Sequence, residues 1–221
     1  VGDQHTKWFD TPYKISSMDS KLIESLSTGP EIDSLALPEK NIFIPEDVTL
    51  LAPKSGPIPE ELYQAPGIKL WHASDTSFGT PKANLFVTIR SPEAMKDVAS
   101  LNMVELMVTL LKDTLNEFSY PAYLAGLHYE LYNHMRGVTI KISGYSDKQL
   151  TLLKTILNEL KQAEFKADRF SIIKERLKRS LENQKDKKPY EQSIAKAQRH
   201  LMKPSWSPVE RLAALNTIKL N

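Results

Sequence analysis

The sequence predicts an α+β fold in which a mostly antiparallel sheet packs against one long central helix, with further helices toward the C-terminus. Residues 83–90, 127–132 and 138–143 alternate apolar and polar side chains, which is the two-residue period of half-buried strands. Residues 93–118 instead place apolar side chains at helical spacing, and more helical segments follow residue 144. Adjacent antiparallel strands with helices gathered afterwards are typical of α+β layer folds.

The first long strand covers residues 83–90 and ends at Ser91-Pro92. Its two faces carry Leu85, Val87 and Ile89 on one side and Asn84, Phe86, Thr88 and Arg90 on the other. A shorter strand at residues 69–73 precedes it. The apolar face predicts contact with the core, whereas the other face includes one aromatic residue among polar ones.

A long helix from Glu93 to Phe118 or beyond is predicted by its apolar stripe. The stripe contains Val98, Leu101, Val104, Val108, Leu111 and Leu115, and it is widened by Met103, Leu106, Met107 and Leu110. An apolar surface that extends almost all round indicates a central, deeply buried helix. Pro121 is expected to open a short following helix that Gly126 ends.

A hairpin follows, with its turn within residues 133–137, and then several helices. Ser146 and Gln149 are predicted to form a capping box for the first of these helices. The next covers residues 168–183, and another opens at Pro189. The last opens with Ser207-Pro208-Val209-Glu210, a capping-box string that has the capping residue, a proline at the first helical position and an acid at the third. A short helix is also expected near the N-terminus, at residues 19–25.

Three regions are expected along the chain. Residues 1–28 are interpreted as the tail of a preceding domain, residues 29–67 as an extended interdomain strap, and residues 68–221 as the main α+β domain. Prolines exclude a continuous helix or a central strand from the strap: Pro30, Pro38, Pro45, Pro53, Pro57, Pro59 and Pro66. The chain is expected to be a fragment that lacks its last strand.

Composition excludes several functional classes. The 221 residues are 41% hydrophobic and 25% charged, as in ordinary globular proteins, and no apolar run is long enough for a membrane span. A net charge of +2 does not favour nucleic-acid binding. The absence of cysteine excludes thiol catalysis and Cys-ligated zinc, but it does not fix the cellular compartment.

The strongest metal-site candidate is the group formed by His128, Glu130 and His134. Its spacing matches neither H-E-x-x-H nor H-x-x-E-H, whose ligands converge on a helical turn. On a strand, His134 would lie roughly 20 Å from His128, at about 3.3 Å per residue. A polar sheet face is therefore favoured over a metal site.

Other charged groups favour structural interpretations as well. The candidate acids are Glu105, Asp113, Glu117 and Glu130. Asp113 and Glu117 share one helix face, but no partner or reacting centre is identifiable, so solvation is favoured. The basic cluster at residues 166–188 is likewise interpreted as a solvated helix face. Gly126, Gly137 and Gly144 are isolated and are assigned to turns and ends of elements.

An ordered set of motifs resembles the insulinase/pitrilysin family of zinc-dependent peptidases, in the middle region of its members. The motifs that carry the resemblance are Trp8–Tyr13, Leu37–Asn41, Phe43–Pro45, Lys69–Trp71, Leu110–Tyr120, Leu124–Leu131, Gly144–Gln149 and Arg169–Glu175. They occur in order over nearly the whole chain. Ser91–Met95 and Pro189–Ile194 are more similar to the bacterial members.

The resemblance implies a parent protein of four homologous domains that close around a chamber. Zinc and the catalytic glutamate would belong to an inverted H-x-x-E-H motif in the first domain. This chain contains no such motif, so no catalytic or metal-binding residue is assigned to it, and the residues that contact substrate stay open. The implied partners are other domains of the same peptidase and peptide substrates.

The expected function is therefore that of a non-catalytic middle domain, forming part of the chamber wall. A peptide-binding or scaffold domain of a catalytically inactive family member is the alternative. An independent enzyme that uses His128, Glu130 and His134 is a third, less favoured hypothesis. The likeness to bacterial members favours a periplasmic parent, with a cytoplasmic one as the alternative.

Overall fold

The computed structural model describes residues 2–29, 36–37 and 39–220, which fall into two compact units, one within residues 1–40 and the other within residues 41–221. In the first unit, strands β1 (Gln4–His5) and β2 (Pro12–Tyr13) pair antiparallel, and α1 (Ser20–Ser27) follows. The Asp19 side chain accepts a hydrogen bond from the Lys21 backbone N–H at 3.0 Å and so caps α1. The short helix predicted here is confirmed.

The second unit is built on a three-stranded antiparallel sheet with the strand order β5-β7-β6. The strands of this unit are β3 (Glu60–Ala65), β4 (Ile68–His72), β5 (Lys82–Arg90), β6 (Leu127–His134) and β7 (Gly137–Tyr145). Strands β3 and β4 form a separate hairpin. The helices are α2 (Val98–Leu124), α3 (Gln149–Gln162), α4 (Ala167–Glu182), α5 (Pro189–Leu201) and α6 (Pro208–Thr217). The α+β class is confirmed.

Strand β3 lies in the region interpreted from sequence as an extended strap. The prolines do not prevent it, because Pro59 and Pro66 flank the strand and none lies inside it. Gly67 supplies the turn to β4 with a φ of 81°. Pro30 and Pro38 lie outside the described residues. The division of the chain at residues 28 and 67 stays a prediction.

Helix α2 begins later than predicted, and it continues through the position where a separate helix was expected. A short 3₁₀ helix (Pro92–Met95) comes first, and the Asp97 side chain then caps α2 by accepting from the Ser100 N–H at 2.7 Å. The short helix predicted to open at Pro121 is wrong, because α2 continues through Pro121 to Leu124. Ala122, one residue further, is 1% exposed, so packing holds the helical course past the proline.

Gly126, which was predicted to end that short helix, instead follows the end of α2 with a φ of 77°. Although α2 has 27 residues, neither it nor any other helix in the described part of the chain is long and apolar enough to cross a membrane.

The capping box predicted for α6 is confirmed, since Ser207 and Glu210 bond reciprocally to each other's backbone N–H groups.

The capping box predicted for Ser146 and Gln149 is wrong. The Ser146 hydroxyl instead donates to the Pro81 carbonyl at 3.3 Å. The buried Gln149 side chain donates to the carbonyls of Ala83 and Gly144, at 2.7 Å and 3.0 Å. Gln149 therefore ties the start of α3 to strands β5 and β7, a long-range role that a local sequence pattern does not reveal.

Two hydrophobic clusters form the core of this unit, and α2 belongs to both. The first lies between the sheet, α2 and α3; it contains Phe43, Val108, Leu111, Leu115, Ala122, Leu127, Leu131, Val138, Ile140, Ile142, Leu152 and Ile156. The second lies where α2, α4 and α6 meet; it contains Leu106, Leu110, Phe170, Ile173, Leu181, Leu215 and Ile218. Both clusters depend on the nearly all-round apolar surface of α2.

A segment that precedes the strands is fastened to this core at three points. Phe43 is 4% exposed and belongs to the first cluster. The Asn41 side-chain amide donates to the Pro121 carbonyl at 2.8 Å, beside the end of α2. The Glu46 backbone N–H donates to a carboxylate oxygen of Asp147 at 2.9 Å, and this bond holds the pKa of Asp147 below its ordinary value.

Replacing Phe43 by alanine should destabilise this unit by about 3–5 kcal/mol, because it removes a buried ring and leaves a cavity. The adjacent Ile44 is 54% exposed, so Ile44→Ala is the matched control, with an expected effect within about 0.5 kcal/mol. Urea unfolding followed by circular dichroism measures both variants. Equal effects in the two variants would contradict the assignment of Phe43 to the core.

Candidate functional site

The face of the three-stranded sheet that points away from the core is the principal candidate site, and we call it the outer sheet face. The strand register aligns its side chains in four rows across β5, β7 and β6: Asn84-Ser143-His128, Phe86-Lys141-Glu130, Thr88-Thr139-Tyr132 and Arg90-Gly137-His134. The intervening residues point to the core, since side chains alternate along each strand. Leu85, Ile142 and Tyr129 form one such inward row.

A hydrogen-bond network fixes one end of this face. The hydroxyl groups of Thr88 and Thr139 lie 2.8 Å apart, and His134 Nε2 lies 3.0 Å from the Thr139 hydroxyl. The Arg136 backbone N–H donates to His134 Nδ1 at 3.1 Å. Because Nδ1 accepts a hydrogen bond, the ring proton of the neutral imidazole is on Nε2, where it can be donated to Thr139. The His134 side chain therefore makes its hydrogen bonds within the β6–β7 hairpin, next to the turn.

The remaining members of the predicted His128, Glu130 and His134 group make separate contacts. Glu130 accepts a hydrogen bond from the Lys141 ammonium at 2.8 Å, which raises the pKa of Lys141. The His128 ring packs edge-on against Tyr123, with ring centroids 5.2 Å apart. The structure therefore places all three on one strand face but does not bring them together. Over the described ranges, three or more His, Asp or Glu side chains nowhere converge as a metal site would require.

Aromatic side chains stand out from the polar residues of the outer sheet face. Phe86 is 58% exposed and Tyr132 is 39% exposed. Alternation along the strand predicted that Phe86 lies on this face, but Phe86 was not among the predicted site residues. An apolar residue out of phase with the core-facing pattern is the signal that identifies it.

Two cations lie near the ends of β5. The Lys82 ammonium sits 5.2 Å from the centre of the Tyr145 ring. Arg90 lies at the other end of the strand, in the same row as His134. Within the described part of the chain, neither cation has a carboxylate within 4.0 Å. The β5 side of the face is therefore electropositive.

Two of the acid candidates on α2, Asp113 and Glu105, form ion pairs with other helices, which corrects the expectation of simple solvation for Asp113. Asp113 accepts two hydrogen bonds from the Arg169 guanidinium, one of them at 2.8 Å from Nε. This bidentate pair lowers the pKa of Asp113 and joins α2 to α4. Glu105 pairs with Arg211 of α6. The side chain of Glu117 lies outside the described residues.

Asn102 extends the Glu105 pair into a small buried network. It is completely buried, its amide donates to the Arg211 carbonyl at 2.8 Å, and its carbonyl oxygen accepts from Arg211 Nε at 3.0 Å. Every hydrogen bond in this network joins α2 to α6. The network holds the Glu105 carboxylate at the contact between α2 and α6.

The basic cluster at residues 166–188 is only partly a solvated face. Arg169 is held by Asp113, and the Lys174 ammonium donates to the Ile218 carbonyl at 2.6 Å. Arg179 pairs with Glu175 within α4 at 3.2 Å. Several charged side chains of the basic cluster therefore hold helices together or are neutralised by a neighbouring carboxylate. This leaves less positive charge in the cluster to attract a polyanion.

Gly137 and Gly144 are required by backbone packing. Their φ angles are 138° and 120°, a region in which other residues are strained. A Cβ on Gly144 would lie 2.0 Å from the Gly126 carbonyl oxygen, and a Cβ on Gly137 would lie 2.0 Å from the Ile89 carbonyl oxygen. The structural roles predicted for these glycines are confirmed.

A family model for the middle or third domain of peptidase M16 matches residues 1–214. The chain belongs to the M16 peptidase family. It is 34% identical over 220 residues to insulin-degrading enzyme from Bos taurus, which covers 99% of this chain and 22% of that protein. It is 31% identical over 226 residues to a protein of Schizosaccharomyces pombe whose name describes a zinc protease, covering 99% of this chain and 23% of that protein.

The crystal structure of pitrilysin has the same fold as this M16 chain, with a TM-score of 0.79 and 23% identity. That similarity covers all of this chain and 24% of the pitrilysin chain. The resemblance to the insulinase/pitrilysin family and to its middle region is therefore confirmed. The chain spans about a fifth of the length of the curated M16 relatives that it matches.

The Asp113 pair predicts how the stability of this M16 domain depends on pH. The folded-state pKa of Asp113 is lowered, so its contribution is present above the ordinary carboxyl pKa of about 4 and is lost as the pH falls below it. Compared with wild type, Asp113→Asn should lower the urea midpoint at neutral pH. The difference should shrink as the pH approaches about 3. Asp186→Asn, at an exposed position, is the control. A pH-independent difference for Asp113→Asn would refute this role.

Proposed function

We propose that this chain is the non-catalytic middle domain of a zinc-dependent metalloendopeptidase that degrades peptides, and that it forms part of the wall of the substrate chamber. The observation that carries the proposal is the match of residues 1–214 to the middle or third domain of peptidase M16. A zinc protease and insulin-degrading enzyme are among its relatives. Because the chain spans only 22% of the bovine relative, most of the parent protein lies outside it.

Catalysis is assigned to a different part of the parent. Hydrolysis of a peptide by a zinc enzyme needs several protein ligands that converge on the metal, a bound water and a general base. The chain has neither H-E-x-x-H nor H-x-x-E-H. Its best candidates do not fit a zinc site, since Glu130 is paired with Lys141 and His134 is bonded to Thr139. No catalytic step is therefore assigned to residues of this chain, and zinc is assigned to the parent's first domain.

The packing of this unit supports a role as part of the chamber wall. Two packed clusters share α2, and the ion pairs Asp113–Arg169 and Glu105–Arg211 fasten further helices to it. Such a body is suited to excluding bulk solvent and large folded proteins while it presents one sheet face. The proposed partners are the other domains of the peptidase and its peptide substrates. The net charge of +2 gives no support for nucleic acid as a partner.

The isolated chain should bind far less than one zinc ion per molecule and should not cleave peptides. Elemental analysis after dialysis and a quenched fluorogenic peptide assay measure the two properties. The full-length parent, assayed in parallel, should be active, should lose its activity to a chelator, and should regain it with zinc.

Chelator-sensitive cleavage by the isolated chain would overturn the proposal, and His128→Ala would then show whether this chain supplies the ligand. An inactive parent whose upstream sequence lacks the zinc motif would instead favour the scaffold domain of a catalytically inactive family member.

A further inference from the structure

The outer sheet face is open within the described residues of the second unit. Both core clusters lie on other surfaces: the first on the opposite face of the sheet, the second between helices. Phe86 is the most exposed large apolar residue of the three strands, at 58%. A ring that faces water in the middle of a strand loses the burial that an aromatic side chain usually gains. Such a position is typical of a surface that meets a partner.

The composition of this face favours a transient partner over a permanent one. Permanent interfaces resemble a domain core, with few charges and a high apolar fraction. Here Phe86 and Tyr132 are separated by the Thr88–Thr139 hydroxyl pair and lie next to the Glu130–Lys141 ion pair. Aromatic rings among satisfied polar groups give apolar contact area while the surface stays stable in water. This combination suits a ligand that binds and leaves.

The geometry of the face matches an extended peptide. The strand register puts Phe86 beside Lys141 and in the same row as Glu130, and it puts Tyr132 in the next row. Successive outward residues on a strand are about 6.6 Å apart, which is also the spacing of every second residue in an extended peptide. A peptide lying along the strands would therefore place alternate side chains over successive rows. The rings of Phe86 and Tyr132 would contact them without demanding a particular sequence.

The charges on this face indicate which peptides it would bind more tightly. The two cations at the ends of β5, Lys82 and Arg90, are eight residues apart, and Lys82 also contacts the Tyr145 ring. Glu130 is the only carboxylate in the four outward rows, and it is already paired with Lys141. The face therefore carries an excess of positive charge along β5. Acidic side chains on a peptide would be attracted to it more than basic ones.

We propose that the outer sheet face binds an extended segment of a peptide substrate, with Phe86 and Tyr132 contacting its side chains and with Lys82 and Arg90 favouring acidic residues. The inference rests on the proposed function, because it places this face toward the substrate. Beyond that function, it assigns contact with the peptide to one surface of this chain and gives that surface a preference for acidic peptides. The ligand is an unfolded segment of about ten residues, which matches the length of β5.

The test uses the full-length polypeptide that carries this chain, with the double variant Phe86→Ser and Tyr132→Ser. The substrate probe is an unfolded peptide with serine at every second position and with tyrosine and glutamate by turns at the positions between, on both sides of a single cleavable bond, so that both point to the same face. KM should rise about tenfold, because the variant loses two aromatic contacts that bind the peptide. The value of kcat should not change, because neither ring takes part in the chemical step. Tyr190→Ser is the matched control: Tyr190 is 59% exposed but lies on α5, so KM should not change.

A second pair of variants, Lys82→Gln and Arg90→Gln, tests the charge preference. Wild type should bind the glutamate peptide more tightly than its glutamine analogue, and the ratio should fall toward one in the variant and at high salt. Thermal unfolding of each variant shows that the fold is retained. An unchanged KM in the aromatic variant, or an equal rise in the Tyr190 control, would overturn the proposal.

Photo-crosslinking separates this inference from the proposed function. p-Benzoylphenylalanine at position 86 should attach the same peptide to a chelator-treated parent, whereas the same group at position 190 should not. A parent that has no peptidase activity even with zinc present, but that still crosslinks at position 86, would refute the proposed function and support the face as a peptide site. Full activity without crosslinking at position 86 would refute the face alone.

Discussion

Burial of α2 on several sides at once is the constraint on which the rest of the second unit depends. Val108, Leu111 and Leu115 pack toward the sheet and α3, whereas Leu106 and Leu110 pack toward α4 and α6. A helix with so little polar surface cannot remain exposed, so layers must form on both sides of it. The sheet can then leave its other face open, because its apolar face is already satisfied by α2.

The sequence was sufficient for the parts of the fold that follow local periodicity. The strand at residues 83–90, the hairpin, the long helix and the Ser207 cap were all predicted, since alternation, helical spacing and capping residues act over a few positions. The outward position of His128 and Glu130 also followed from alternation along the strand. Pro121 was misjudged because packing of the neighbouring Ala122 outweighs the local preference of proline.

Long-range pairings could not be predicted, because a single sequence does not say which distant residues meet. Asp113 and Arg169 are 56 positions apart, and Asn102 and Arg211 are 109 positions apart. Gln149 looked like a local capping residue, but it bonds to carbonyls of two strands. The candidate face required the register of β5 against β7, which places Phe86 beside Lys141. These contacts turn separate motifs into one surface.

Strand β5 also has a consequence for handling this polypeptide. It is nine residues long and lies at the edge of its sheet, with β7 as its pairing partner among the described residues. Alternate backbone N–H and C=O groups of an edge strand point away from its partner and offer a template to any other chain. Its central residues, from Leu85 to Ile89, carry no charge to oppose such contact. Concentrated preparations of the segment alone are therefore exposed to edge-to-edge self-association, and a charged residue introduced at position 88 would protect against it.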